Sequence, residues 1–385
     1  MMTEMTPREM LAKLVGFATV SRDSNRALID FVAGYLAHLG IEARIVPNAD
    51  GSKANLYATI GPNVAGGVVL SGHTDVVPVD GQHWSSDPFT LTERDEKLFG
   101  RGTCDMKGFL AIALSLVPEM KRAGLSRPIH LALSYDEEIG CLGAPEMIAE
   151  MAAELPPSVA VIVGEPSSMK VITGHKSILV FTTTVTGHSV HSSQIPRGVS
   201  ATMVAARLVA YLEDMMEEGK GTAAENPAYD PPFTTIHVGL LNGGTASNIV
   251  ARECRFVTDI RALPEEDPEA YLQRFEAHVR KTVVPAMRAV APETGIDIEV
   301  RSVVPGLRPE PENEAERLAR MLTGDNEVRG AAFCAEAGQF QQAGFATVIC
   351  GPGSIDQAHQ PDEFLSLDQL QAGTEFVRRL IGHLT

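Results

Sequence analysis

The stretch Val68-Val69-Leu70-Ser71-Gly72-His73-Thr74-Asp75 decides the fold, because an apolar run stops at residues able to bind a ligand. Three further segments read alike: Leu131-Ala132-Leu133-Ser134-Tyr135-Asp136-Glu137-Glu138, Val161-Ile162-Val163-Gly164-Glu165, and Thr347-Val348-Ile349-Cys350-Gly351 shortly before His359. Near-continuous apolar runs of this length suit parallel strands buried on both faces. In open α/β sheets, ligands bind just beyond the carboxyl ends of such strands. The strands are therefore expected to deliver carboxylates and imidazoles to one edge of a sheet. Metal sites are built in this way.

At 385 residues the chain predicts two domains, one inserted in the other. Lys plus Arg number 32 and Asp plus Glu 49, a formal net charge of −17. An acidic surface of this kind disfavours nucleic acid or an anionic membrane as partner. No apolar run approaches the roughly 20 residues that span a bilayer. Residues 1–9 carry a helix-start signal at Thr6-Pro7 and no secretory h-region. Five cysteines without CxxC spacing argue for a reducing compartment. The expectation is a soluble, cytoplasmic α/β enzyme.

From about residue 7 to 175, helices and strands alternate as in a parallel sheet. Helices are expected over 7–20, 24–39 and 106–123, with Asp105 as the N-cap of the last. Strands are expected over 42–46, 54–60, 67–72, 129–135 and 159–163. The pattern then changes to an alternating strand over 178–186, helix 199–217, strands 234–240 and 252–261, helix 266–290 and strand 296–303. That is a compact two-layer α+β unit. Residues 219–232, rich in Gly, Pro and Glu, read as a loop. Helix 312–323 and strand 346–350 return to α/β character. Residues 1–175 and 305–385 thus form a catalytic domain, interrupted by an insert over 176–304.

His73 and Asp75 lie two apart on an extended chain, so the Asp75 carboxylate is expected to accept the second ring N–H of His73. Asp105 follows a Gly-rich turn that leaves both its oxygens open to approach. Asp136, Glu137 and Glu138 repel one another unless cations offset them. One Glu would then be a ligand and its neighbour a general base, with the choice left open at this point. Glu165 and His359 are weak signals singly. Together the set offers imidazole and carboxylate donors and no thiolate, which suits Zn²⁺, Co²⁺ or Mn²⁺ in a hydrolytic two-metal site. Cys104 would point away and pack as a small hydrophobe. In the insert, His188 and His191 occupy a turn, and Asn242–Asn248 precede Asp259-Ile260-Arg261. Imidazole, amide and guanidinium are what a substrate carbonyl and carboxylate need.

His73-Thr74-Asp75, Gly102-Thr103-Cys104-Asp105-Met106-Lys107-Gly108, Glu137-Glu138, Gly164-Glu165-Pro166 and Gly351–Glu363 resemble the M20 metallopeptidase/aminoacylase family in order and spacing. The long final motif resembles its acetylornithine-cleaving branch. The resemblance implies a zinc-peptidase-like catalytic domain, a mixed and largely parallel sheet flanked by helices, and an insert that serves as dimerisation or lid domain. It implies two Zn²⁺, with Asp105 bridging, His73 and Glu165 on one and Glu138 and His359 on the other. Glu137 would be the general base acting on metal-bridged water, Asp75 the partner of His73, and the peptide after Asp105 cis. His191 would reach the substrate carbonyl, Asn248 and Arg261 its carboxylate, and Glu336 its δ-ammonium. The implied reaction is hydrolysis of N²-acetyl-L-ornithine by a cytoplasmic homodimer. A succinyl-diaminopimelate desuccinylase, a broader aminoacylase or a non-catalytic binding protein is the alternative. The chain departs from the family pattern at Val190, at His188, which is an added imidazole, and at Ala335.

Overall fold

A computed structural model of the chain describes residues 4–222 and 227–385. It divides into two compact units. One comprises the residues up to Gly174 together with Leu307–Gly330 and Ala335–Thr385; the other comprises His175–Gly306 and Ala331–Cys334. Of the loop expected over 219–232, the first residues continue the helix Ala201–Thr222, and 223–226 lie outside the described residues.

The first unit is built on a six-stranded sheet in the order Ala43–Pro47, Ala54–Ile60, Ile129–Ser134, Gly67–His73, Ser158–Pro166, Thr347–Gly351. The last four pair in parallel, and the first two are antiparallel additions at one edge. These four are the strands read as apolar runs. Every residue of Gly67–His73, Ile129–Ser134 and Thr347–Gly351 is buried, because helices cover both faces. The helix Lys107–Ser115 is buried on all sides, as a helix apolar all round must be. It joins Leu70, Leu131, Ile162 and Val348 in one core.

Several boundaries differ from expectation, each for a local reason. The first helix starts as predicted, with Thr6 and Glu9 forming a capping box, but ends at Val15. The chain beyond Gly16 instead reaches across to pair Val20 with Val76. The helix expected over 106–123 is two, Lys107–Ser115 and Val117–Arg122. Pro118 in the second lacks the N–H that an unbroken helix would use. Helices Ala144–Glu154 and Leu367–Leu384 are additions.

The second unit has a four-stranded antiparallel sheet in the order Thr235–Gly243, Glu253–Arg261, Ile178–Thr186, Gly295–Val304. Its core joins Leu179, Phe181 and Phe256 of the sheet to Leu208 and Leu212 of Ala201–Thr222 and Phe275 of Pro268–His278. The helix expected over 266–290 passes through a π-turn at Val279–Val283 just before Pro285, where a backbone donor is missing. Among the described residues no helix is long and apolar enough to cross a membrane.

The strand Ser158–Pro166 passes so close to the buried helix that a Cβ on Gly164 would meet the Phe109 ring at 2.1 Å. Gly164→Ala is expected to cost about 1–3 kcal/mol through overpacking, read from urea unfolding. Unchanged stability would mean that Phe109 gives way freely.

Candidate metal centre

Parallel strands end on one side, and their ends carry the predicted residues. His73 closes its strand and is 1 % exposed. Its Nδ1 lies 2.9 Å from the Asp75 backbone carbonyl, which can only accept, so Nδ1 donates there and Nε2 is turned toward the carboxylates. Nε2 faces Asp105 Oδ1 at 3.0 Å, Glu165 Oε1 at 3.7 Å and Glu137 Oε2 at 4.0 Å. The expected carboxylate partner is therefore corrected: the Asp75 carboxylate stands 3.6 Å from Nδ1, and its backbone makes the hydrogen bond. The carboxylate has other donors. Ser21 Oγ donates to Oδ2 at 2.7 Å, and the Glu137 and Glu138 amides donate at 3.2 and 3.4 Å. Asp75 thus holds the acidic turn in place.

Asp105 is not the helix cap it was expected to be. The cap position is Met106, with no side-chain hydrogen bond, and the Asp105–Met106 peptide is cis. Freed from capping, the carboxylate directs Oδ1 to His73 and Oδ2 to His359 Nε2 at 3.4 Å. The turn that presents it is tight. Gly102 has φ +83°, and a Cβ on Gly108 would meet the Thr103 carbonyl at 2.4 Å. Cys104 is buried beside Ser354 O at 3.3 Å, and burial raises its thiol pKa, so it stays out of the donor set.

The three adjacent acids are separated by their surroundings. Asp136, at φ +55°, forms an ion pair with Lys53 and leaves the cluster. Glu138 Oε2 lies 2.9 Å from His359 Nε2, whereas Glu137 faces His73. Glu138 Oε1 and Glu165 Oε1 are buried without a hydrogen-bond partner. Unpartnered buried carboxylate oxygens beside imidazole nitrogens are what a cation satisfies. His73, Glu137 and Glu165 form one group of donors within 4.8 Å of one another, and His73, Asp105 and Glu138 a second. The residues present fit divalent cations. Lys53, Ser21 and Glu363, which accepts from the Cys104 and Asp105 amides at 2.8 and 3.0 Å, carry no local sequence signal for these contacts.

Electrostatics follow from burial and crowding. Burial, with the Asp105 charge adding, pushes the Glu138 carboxyl up to about 7. Glu137 and Glu165 are raised well above the usual carboxylate range, again by burial first. His359 rises to about 10 through its hydrogen bonds to Asp105 and Glu138. Burial also opposes ionisation of Asp105, but hydrogen bonds from His359 and His73 outweigh it and lower its pKa.

The remaining predicted residues have other partners. Glu336, expected to meet a substrate ammonium, is 1 % exposed, and its two oxygens accept from Ser71 and Ser134, each at 2.6 Å. It ties two strands together and is corrected on that ground. In the second unit, His191 bridges to Ile249, and the Asn248 carbonyl accepts from the Ser192 amide at 3.0 Å. Arg261 is held by Asp259 at 3.2 Å, and His188 pairs with Glu293.

The profile of peptidase family M20/M25/M40 matches residues 69–383. The chain belongs to this family. Among its M20 relatives, the acetylornithine deacetylase of Proteus mirabilis (strain HI4320) is 36% identical over 360 residues, covering 93% of this chain and 90% of that protein. The acetylornithine deacetylase of Photorhabdus laumondii is 34% identical over 382 residues, covering 97% and 96%. An M20 family metallo-carboxypeptidase from Sulfolobus solfataricus shares the fold, with a TM-score of 0.76 at 19% identity over 99% of both chains. A dinuclear metal binding peptidase of the M20 family from Bacillus subtilis aligns with a TM-score of 0.63 at 16% identity, over 98% of this chain and 97% of that one. This M20 protein is a hydrolase that cleaves an amide bond with the help of metal.

A carboxyl whose folded pKa is raised adds stability below its unfolded value and loses it as pH rises through the folded value. For Glu138 that loss runs from 4.5 to about 7 in protein stripped of metal. Chelated Glu138→Gln, a mimic of the protonated acid, is expected to melt higher than chelated wild type above about pH 7 and alike below about pH 4.5. Equal melting curves at both pH values would contradict the crowding described here.

Proposed function

We propose that this M20 hydrolase converts N²-acetyl-L-ornithine and water to L-ornithine and acetate, a step of arginine biosynthesis, as a cytoplasmic homodimer. The choice of substrate is carried by one observation. Relatives at 34–36% identity over more than nine-tenths of the chain are named acetylornithine deacetylase.

In the proposed mechanism His73, Asp105 and Glu165 would hold one divalent cation, and Asp105, Glu138 and His359 would hold a second; zinc is the proposed native metal, with cobalt or manganese as substitutes. When bound, such cations would supply Lewis acidity, lowering the pKa of water and polarising the acyl carbonyl. Glu137 is the general base. It takes a proton from the attacking water, and the new C–O bond forms as the carbonyl π bond opens to an oxyanion. The amide C–N bond then breaks as the carbonyl re-forms and Glu137 returns that proton to the leaving amine. In the metal-free site burial raises the Glu137 pKa, the direction that makes a carboxylate a stronger base. Asp75 accepts the Glu137 amide hydrogen at 3.2 Å and so fixes the backbone that carries the base. On the family resemblance, His191 is assigned to the developing oxyanion, and Asn248 and Arg261 to the substrate carboxylate.

Glu137→Gln is expected to lower kcat by about 10²–10⁴ while metal content stays at the wild-type level. Loss of metal in that variant would exchange the roles of Glu137 and Glu138. The substrate is tested by ornithine release from N²-acetyl-L-ornithine, using protein chelated and refilled with Zn²⁺ or Co²⁺. N-succinyl-diaminopimelate and N-acetyl-methionine are run beside it. Faster metal-dependent turnover of either of these would keep the mechanism and discard the substrate. No turnover on any of the three, with two metals bound, would turn the reading to a binding protein.

A further inference from the structure

Asp105 and His359 come from loops far apart in sequence, yet one chain of polar contacts reaches both. Glu363 and Arg101 are each 1 % exposed and lie 2.7 Å apart. Burying an ion pair so completely is costly unless further hydrogen bonds offset the lost hydration. Glu363 meets that condition on backbone amides. Its Oε1 accepts from Cys104 and Asp105, and its Oε2 from Gly102 at 3.0 Å. The turn that presents Asp105 is thus hung on one carboxylate.

Arg101 extends the chain the other way. Its Nη2 donates to Gln82 Oε1 at 2.6 Å, and Nη1 to the Gln360 carbonyl at 3.3 Å. Its guanidinium lies 5.0 Å from the centre of the Trp84 ring, and Trp84 Nε1 also donates to Gln82 Oε1, at 3.1 Å. With its oxygen committed to two donors, the Gln82 amide presents its NH₂ group to the His359 carbonyl at 2.9 Å. His359 needs such a hold. It has φ +63°, a left-handed conformation that costs a non-glycine residue about 1–2 kcal/mol, and its side chain is 52% exposed.

We propose that Glu363 and Gln82, joined through Arg101, are positioning residues that hold the two loops for metal, Glu363 acting on Asp105 and Gln82 on His359 alone, an assignment that rests on the two-cation reading above. Asp105 faces both imidazoles, so its displacement disturbs both cation positions. His359 faces only Glu138 and Asp105, so its displacement disturbs one.

The test is Zn²⁺ binding to the purified full chain by chelator competition, with melting of the metal-free protein measured beside it. Gln82→Glu keeps an oxygen for Arg101 and removes the donor to His359. It is expected to weaken one of two zinc equivalents by about 10–100-fold, leaving the other equivalent and the metal-free melting temperature at wild-type values. Glu363→Gln is expected to weaken both equivalents. Gln82 is partly exposed, so Gln82→Glu carries the test even where Glu363→Gln, which leaves Arg101 buried and unpaired, does not fold. Two wild-type equivalents in Gln82→Glu would overturn the inference alone, as would equal weakening of both with a lowered melting temperature. Fewer than two equivalents in the wild-type chain would overturn the two-cation reading and the inference with it.

Discussion

Like charge confined to a small, dry volume is the constraint on which the rest of this structure depends. Asp105, Glu137, Glu138 and Glu165 are gathered around two imidazoles, and all four are largely removed from water. Two like charges about 4 Å apart repel by roughly 4 kcal/mol at an effective dielectric constant near 20. Acids therefore stay together only where protons or cations offset them. The raised pKa values of Glu137, Glu138 and Glu165 and the lowered one of Asp105 are two faces of that balance.

The fold meets the constraint by sorting neighbours that the chain places side by side. Lys53 draws Asp136 out of the cluster, and Asp75 turns its carboxylate to the amides of the same turn. Ser71 and Ser134 keep Glu336 engaged beneath it. What remains is a set of oxygens and ring nitrogens facing one another, with two carboxylate oxygens left unpartnered. The sheet makes such sorting possible. Parallel strands place every carboxyl end on one edge, so segments distant in sequence contribute to one small volume.

Local signals read well where the physics is local. Thr6 and Glu9 cap the first helix because a capping box involves only four residues. The buried runs at 68–72, 131–133, 161–163 and 347–350 became parallel strands because continuous apolar character has few other uses at that length. Local signals misled where tertiary contacts outbid them. Asp105 reads in sequence as an N-cap, but the cap position falls to Met106 and the Asp105 carboxylate lies between two imidazoles. His73 and Asp75 share a side of an extended chain, yet the strand ends at His73, and the turn brings a carbonyl to the ring instead.

By itself, then, the sequence determined an α/β sheet with parallel strands, the strand ends that carry donors, and a donor chemistry of imidazole and carboxylate without thiolate. These follow from residue type and from periodicity along a single strand. Only the tertiary structure decided which atom meets which. Glu138, not Glu137, came to lie against His359, Asp136 went to Lys53, and the turn bearing Asp105 was hung on Glu363. Such choices depend on strand order and register and on loops that return from the far end of the chain. Those are set by packing over the whole core, and no short window of sequence contains them.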